Sequence, residues 1–134
     1  MVKREVIDRI GLLDERFFLY YEDMDWCWRM HKAGWKIAYD TNHSVLHHCR
    51  GSCDRMNPAD SNGLFFRSER LICAKHLSAS DCRRFRLLRF LHHARRIVRY
   101  WLAAKRTRSP EDARNLAFHL AGCRGMIAVQ PPKP

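Results

Sequence analysis

Residues 17–29 place a run of bulky apolar side chains directly before a cluster of acids. Five aromatic or aliphatic residues, 17–21, are followed by three carboxylates within four positions: Glu22, Asp23 and Asp25. An apolar segment that ends in carboxylates is typical of a buried strand that brings acids to the floor of a pocket. The alternative is an ordinary helix N-terminus, where the helix dipole favours Asp and Glu. Local sequence alone leaves both interpretations open.

Positive charge is concentrated in the second part of the chain. Residues 1–80 hold 12 Lys/Arg against 11 Asp/Glu, a net charge of +1, whereas residues 81–134 hold 13 against 3, a net charge of +10. A basic block of this kind implies an anionic partner, which would be nucleic acid, a membrane surface or an acidic protein.

The chain lacks a run of about 18 apolar residues, and its first residues lack the apolar region of a secretory signal. We therefore expect a cytoplasmic protein, peripheral at the inner face of the cell membrane. The six cysteines include no Cys-x-x-Cys pair. They are expected to be reduced thiols, several of them buried.

The hydrophobic pattern predicts a mixed first part and a helical second part. Short strands are predicted at 17–21, 35–39 and 44–47. Helices are predicted at 3–10, 23–33, 64–76 and 81–104, with a last helix that starts at Ser109-Pro110 and ends near Gly122. Glycines 11 and 34 are expected to end the first two helices. Because a few short strands do not form a stable sheet alone, residues 1–78 are predicted to be the end of a larger α/β sheet.

Four motifs follow one another in order between residues 3 and 76. They are Gly11-Leu12-Leu13 with Asp14-Glu15-Arg16-Phe17-Phe18-Leu19-Tyr20; Glu22-Asp23-Met24-Asp25 with Arg29 and Lys32-Ala33-Gly34-Trp35; Val45-Leu46-His47; and Arg67-Ser68-Glu69-Arg70 with Lys75-His76. In order, spacing and residue type this set resembles the C-terminal half of a family 2 glycosyltransferase, most closely the rhamnosyltransferase-type members. The resemblance implies an α/β fold, the C-terminal fragment of a GT-A (Rossmann-like) domain. It also implies inverting transfer of a sugar from a nucleotide-sugar donor to a polysaccharide or lipid-linked acceptor.

The resemblance also implies roles for individual residues. Such a reaction needs a base for the acceptor hydroxyl and positive charge for the leaving diphosphate. Asp23 matches the catalytic base; a helix cap is its alternative role. Glu22 would contact the acceptor, and Asp25 would support catalysis while paired with Arg29 four residues later. His47 matches a ligand of the divalent metal, Mn or Mg, and a strand-end histidine bonded to backbone is the alternative.

The part of such an enzyme that binds the nucleotide sugar, through an Asp-x-Asp motif and the metal, is not found in these 134 residues. We therefore expect a truncated or split enzyme, inactive alone, that needs a missing N-terminal half as its partner. A competing hypothesis is a zinc site, whose ligands would be His43, His47, His48, Cys49 and Cys53. Their spacing fits no familiar closed zinc site well.

Residues 83–106 carry the pattern of a basic amphipathic helix. We therefore divide the chain into three parts: the acceptor-side glycosyltransferase part at 1–78, a basic helical extension at 79–126 and a flexible tail at 127–134. Arginines flank an apolar stripe that includes Leu87, Leu88, Leu91, Ala94, Ile97, Val98, Trp101 and Leu102. A helix of this type lies on an anionic membrane surface. The alternative is a helix packed on its own domain with its arginines in solvent. Binding of this helix to nucleic acid is the third interpretation, because the sequence contains no nucleic-acid recognition motif. The alternative function is thus a small basic non-enzymatic protein that binds anionic membrane or nucleic acid.

Overall fold

The computed structural model describes residues 1–46 and 57–128, and this part of the chain is helical. Its five helices are α1, Arg4–Ile10; α2, Glu22–Lys32; α3, Pro58–His76; α4, Ala79–Thr107; and α5, Pro110–Ile127. None of these helices combines the length and the apolar character that crossing a membrane requires. Within the same residues the cysteines 27, 73, 82 and 123 are free thiols, but only Cys73 is buried, whereas the sequence analysis expected several buried cysteines.

The predicted α/β fold, a fragment of a GT-A sheet, is wrong. No residue of 1–46 or 57–128 belongs to a β-strand, although 17–21, 35–39 and 44–46 lie in segments with a strand-like pattern. The last predicted strand ends at His47, which is outside the described residues. A strand completes its backbone hydrogen bonds only on a neighbouring strand, and two or three short strands are too few to be stable alone. The apolar side chains of these segments are therefore accommodated in other ways.

The apolar run 17–21 packs on helix α3 as an irregular segment. Phe17 is buried in a cluster with Leu71 and other apolar side chains of α3. The backbone carbonyl of Leu19 accepts a hydrogen bond from the hydroxyl of Ser68 at 2.9 Å. A helix face and a side-chain donor thus take the place of the neighbouring strand that the sequence pattern suggests.

The second predicted strand, 35–39, is irregular chain that leaves most of its apolar side chains in solvent, with Trp35 half-buried. Tyr39 is 92% exposed, and Ile37 is also exposed. The backbone N–H of Trp35 donates to the carbonyl of Met30 at the end of α2, at 3.0 Å. Period-two alternation is therefore present without the burial that would make it a strand.

Local sequence predicts several helix ends correctly. Gly11 and Gly34 follow α1 and α2 with φ of 78° and 85°, values that glycine adopts without steric cost. At the start of α5, the hydroxyl of Ser109 accepts a hydrogen bond from the N–H of Glu111 at 3.2 Å, and Pro110 is the first helical residue.

Helix α3 begins earlier than the predicted residue 64. The side chain of Asn57 accepts a hydrogen bond from the N–H of Ala59 at 3.0 Å, and Pro58 fills the first helical position. Both features stabilise a helix N-terminus, so Asn57 and Pro58 start the helix.

Helix α5 packs against both α4 and α3. Two glycines allow the close approach, since Gly122 lies against the ring of His93 and Gly125 lies against Phe66. The rings of Phe66 and Phe118 are 5.2 Å apart between α3 and α5. The predicted boundary between residues 78 and 79 falls in the link between α3 and α4, and the division into domains stays a prediction.

Candidate functional site

The acidic segment enters α2 through a strained backbone turn. Tyr20 and Tyr21, the two residues before the helix, have φ of 67° and 70°. Bulky residues seldom adopt this left-handed conformation, which costs about 1–3 kcal/mol per residue. The ring of Phe65 on α3 lies 5.4 Å from each tyrosine ring. Helix α3 therefore holds the turn that sets the direction of the first turn of α2.

A hydrogen bond also fixes Tyr21 to α3. Its hydroxyl is 3.2 Å from Oε1 of the buried Glu69, which is paired with Arg89 of α4 at 2.7 Å. Burial, and then the neighbouring Glu69 charge, raise the pKa of the Tyr21 phenol, so the hydroxyl is the donor in this contact. Burial also raises the pKa of Glu69 despite its pairing with Arg89.

The three predicted catalytic acids share the first turn of α2 but have different surroundings. Asp23 is exposed, and its Oδ1 accepts a hydrogen bond from the N–H of Met24 at 2.8 Å. Asp23 is not the helix cap, because the residue at that position is Tyr21. Glu22 is half-buried, and its Oε2 is enclosed without a hydrogen-bond partner among the described residues. Asp25 is fully buried, with 0% of its surface exposed. Of the three acids, Asp23 is therefore the one that is fully open to a substrate, whereas Glu22 is exposed only in part.

Asp25 lies at the centre of a buried ion-pair cluster. Its Oδ2 accepts from Arg29 Nε at 2.9 Å, and its Oδ1 lies 2.7 Å from Lys75 Nζ and 2.6 Å from His76 Nε2. Burial by itself would raise the pKa of Asp25, but the hydrogen bonds from Lys75, His76 and Arg29 outweigh it and hold the pKa below its usual value. The predicted pairing of Asp25 with Arg29 is confirmed, and the pair is buried instead of lying on the helix surface.

The cluster reaches the loop that follows α1. Arg29 Nη2 donates to the carbonyl of Leu12 at 2.6 Å, and Lys75 contacts Asp14 at 2.6 Å. The hydrogen bond from Arg16, aided by Lys75, lowers the pKa of Asp14 well below its usual value. Charged side chains therefore join the α1–α2 loop, the first turns of α2 and the end of α3.

His76 is oriented from three sides. Its ring stacks on Trp28 with centroids 4.7 Å apart, and its Nδ1 lies 3.4 Å from Lys32 Nζ. An ammonium group has only donors, so Nδ1 accepts from Lys32 and Nε2–H donates to Asp25. This arrangement fixes one tautomer of the imidazole.

The cluster unites motif residues that are far apart in the sequence. Asp25 and Arg29 belong to the acidic motif, and Lys75-His76 belongs to the motif at the end of α3. Sequence reasoning matched Lys75-His76 to the family pattern but assigned it no role. Two sequence features belong to the cluster: the four-residue spacing of Asp25 and Arg29, and the two adjacent basic residues at the end of α3. Neither feature shows that the two pairs contact each other.

The described residues do not by themselves fit the divalent metal that the resemblance implies. No group of three or more His, Cys, Asp or Glu in 1–46 and 57–128 could hold a metal ion. The expected ligand His47 lies outside these ranges, as do three of the other residues of the zinc hypothesis, 48, 49 and 53. The fifth, His43, is exposed, with its Nδ1 2.6 Å from Asp40.

A second titratable cluster, between α4 and α5, was not anticipated from the sequence. His93 is 1% exposed, and its Nδ1 lies 2.9 Å from Nδ1 of His119. The ring of Tyr100 stacks on His119 with centroids 5.4 Å apart. Burial, followed by the charge of Arg89, lowers the pKa of His93 to about 4, and burial also lowers the pKa of His119. Both rings are therefore neutral in the folded protein near pH 7.

Comparison with curated proteins finds a partial similarity to a bacterial transferase. Over 55 residues the chain is 42% identical to N-acetylglucosaminyl-diphospho-decaprenol L-rhamnosyltransferase from two strains of Mycobacterium tuberculosis. The matched segment is 41% of this chain and 18% of each relative, so the chain spans less than a fifth of the length of these relatives.

No protein-family model matches the chain, and no solved structure matches it. The similarity rests on the 55 aligned residues, and the predicted resemblance to a rhamnosyltransferase is supported at this level. Over that segment, the chain is related in sequence to a glycosyltransferase.

Proposed function

We propose that this chain supplies the acceptor side of an inverting glycosyltransferase, which transfers a sugar from a nucleotide sugar to a lipid-linked or polysaccharide acceptor. The observation that carries the proposal is the 42% identity over 55 residues to a rhamnosyltransferase whose name specifies a lipid-linked acceptor. The contacts among Asp25, Arg29, Lys75 and His76 support it, because residues of two separate motifs form one buried cluster.

In this proposal Asp23 is the base. Its carboxylate is exposed at the start of α2. It would take the proton from the acceptor hydroxyl while that oxygen attacks the anomeric carbon and the nucleotide diphosphate departs. Glu22, which is half-buried at the same helix start, would contact the acceptor with the part of its side chain that remains exposed. Asp25 would hold α2 in position, because both of its oxygens are engaged by cationic side chains.

Donor binding is assigned to a separate segment or polypeptide that would dock beside α2. Glycosyl transfer needs groups that bind the nucleotide diphosphate and neutralise its charge as it leaves. We infer that the chain binds acceptor by itself and transfers sugar only together with a donor-binding part. A divalent cation, Mn or Mg, is included in the assay because the resemblance implies one.

The first experiment measures binding of the intact chain to N-acetylglucosaminyl-diphospho-polyprenol in detergent micelles, with polyprenyl phosphate as the control ligand. Preference for the sugar-bearing lipid supports an acceptor site. Equal binding of the two lipids contradicts it, because only the polyprenyl chain and its phosphate would then be recognised.

The second experiment replaces the 55 matched residues of the mycobacterial rhamnosyltransferase with those of this chain and assays rhamnosyl transfer. Transfer by the chimera, together with its loss in an Asp23→Asn version, supports the proposal. A folded chimera that binds donor and acceptor but transfers no rhamnose contradicts it.

The second candidate function is a basic non-enzymatic protein that binds an anionic partner. It is favoured by one observation, the net charge of +10 in residues 81–134. The two functions are compatible, because the acidic segment and the basic helix α4 are different parts of the molecule.

A further inference from the structure

One face of helix α4 is apolar and exposed along most of its length. The exposed side chains recur at three- and four-residue spacing and are Leu87, Leu88, Leu91, Val98, Trp101 and Leu102. The helix has 29 residues and is therefore about 43 Å long. A continuous exposed apolar face of this kind marks an interaction surface. We call these six residues the α4 ridge.

The opposite face of α4 is occupied by the protein itself. Arg86 donates to the backbone carbonyl of Met126 at 2.9 Å, and Arg89 pairs with Glu69 at 2.7 Å. His93 is buried beside Gly122 of α5. The apolar stripe predicted from the sequence therefore lies largely on the side of the helix that its own domain does not cover.

Cationic side chains surround the α4 ridge. Between residues 82 and 107 the sequence has no Asp or Glu. The exposed cations there are Arg83, Arg84, Arg95, Arg99, Lys105 and Arg106. They lie before, beside and after the ridge, so any partner that covers it also meets a strong positive field.

Trp101 and Lys105 form an amphipathic pair at the C-terminal end of the ridge. The Nζ of Lys105 lies 3.7 Å from the centroid of the Trp101 ring. Tryptophan is favoured at the boundary between lipid headgroups and acyl chains, and a lysine beside it can reach the phosphates.

We propose that the α4 ridge docks on an anionic lipid bilayer, with the helix parallel to the membrane plane. The apolar side chains enter the acyl boundary while the surrounding arginines contact lipid phosphates. A second copy of the chain is disfavoured as the occupant, because two ridges face to face would bring cations together without acids to pair with them. Nucleic acid is disfavoured because it would leave the leucines and Val98 unburied. The surface is independent of the proposed sugar transfer.

The test is flotation of the intact chain with vesicles of phosphatidylcholine alone and of phosphatidylcholine mixed with phosphatidylglycerol. We expect at least about tenfold stronger binding to the anionic vesicles. Raising salt from about 0.1 M to about 1 M should weaken this binding, because the screening length falls from ~10 Å to ~3 Å. Brominated lipids should quench tryptophan fluorescence, and the Trp101→Phe variant should lose that component of the quenching.

Matched variants separate the apolar and electrostatic contributions. Leu87→Ser/Leu91→Ser/Val98→Ser and Arg95→Gln/Arg99→Gln should each reduce binding about tenfold or more. Arg9→Gln/Arg114→Gln removes the same charge from exposed positions of α1 and α5 and should change binding no more than about twofold. Unchanged circular dichroism confirms that each variant is folded.

Three results would overturn the proposal. The first is equal binding to neutral and anionic vesicles. The second is the same loss of binding in the Arg9/Arg114 control as in Arg95→Gln/Arg99→Gln. The third is self-association or oligonucleotide binding that the serine variant abolishes while vesicle binding stays intact, because the ridge would then serve that other partner.

Discussion

Asp25 and His76 are 51 positions apart in the sequence, and Asp25 Oδ1 lies 2.6 Å from His76 Nε2 in the folded protein. Both side chains are almost completely enclosed. Lys75 and Arg29 contact the same carboxylate. This contact therefore joins α2, which carries the candidate base, to the C-terminal end of α3.

Replacement of Asp25 by Asn should destabilise the protein strongly. The variant leaves Lys75, Arg29 and His76 around a neutral group, and breaking a buried ion pair in this way costs about 3–5 kcal/mol. Urea unfolding followed by circular dichroism measures the loss. The matched control is Asp8→Asn, which breaks the exposed pair of Asp8 with Arg4 and should cost about 0.5 kcal/mol or less. Similar losses in both variants would contradict a structural role for the cluster.

Acid should weaken the fold first through the histidines of α4 and α5. The pKa of His93 falls from 6.5 to about 4 on folding, because burial and the nearby Arg89 disfavour its charged form. Between pH 6.5 and pH 4 the unfolded chain thus binds more protons than the folded one, and stability decreases as pH falls. The decrease from this residue should reach roughly 3 kcal/mol at most. Unfolding free energies measured across this range give the slope.

A variant at the second histidine tests the origin of that slope. His119→Gln removes one of the two facing rings and should flatten the pH dependence between 6.5 and 4. His31→Gln, at an exposed position of α2, should leave the dependence unchanged. Asp14 and Asp25 have lowered pKa values, so their contribution is present above the usual aspartate pKa of 3.8 and is lost below it. An unaltered slope in His119→Gln would exclude His119 as a source of the effect.

Substitution of Gly122 by Ala should separate α5 from α4. An added Cβ would lie 2.5 Å from the ring of His93, which is too close for any carbon contact. The expected cost is about 1–3 kcal/mol, as for other overpacked sites. Gly63→Ala is the matched control, since a Cβ there meets no atom within 4 Å. That control lies inside α3 and should gain about 0.5–1 kcal/mol in thermal or urea unfolding. A neutral Gly122→Ala variant would contradict the close packing of the two helices.

Replacement of Asp23 should lower sugar transfer, whereas replacement of Asp25 should lower protein stability. In the rhamnosyltransferase chimera, Asp23→Asn should leave stability and acceptor binding within error, because this side chain is exposed. It should lower sugar transfer by at least about 100-fold, the usual contribution of a general base. Asp25→Asn should lower transfer only in proportion to the unfolded fraction. Full transfer by Asp23→Asn would exclude it as the base.

Interactions close in sequence were predictable and interactions between distant residues were not. The ends of α1 and α2 follow from Gly11 and Gly34, and the start of α5 follows from Ser109-Pro110, because these effects act within a few residues. The end of α5 was predicted near Gly122, but the helix continues to Ile127. The pairing of Asp25 with Arg29 follows from their four-residue spacing. Its burial does not, because the enclosing Lys75 and His76 come from another helix. The acid motif indicated the relationship to a glycosyltransferase, whereas the role of Asp23 stays a prediction.

By itself, the sequence determined several helix ends, the division of charge and the partial resemblance to a rhamnosyltransferase. Each backbone hydrogen bond of an α-helix joins residues four positions apart, so nearby residues determine where the helix begins and ends. Only the tertiary structure decided that 17–21 and 35–39 are not strands, that Asp25 is enclosed, and that α4 exposes its apolar ridge. Strand pairing, burial of a charge and the choice of a helix face all depend on residues tens of positions away, and local sequence does not specify those partners.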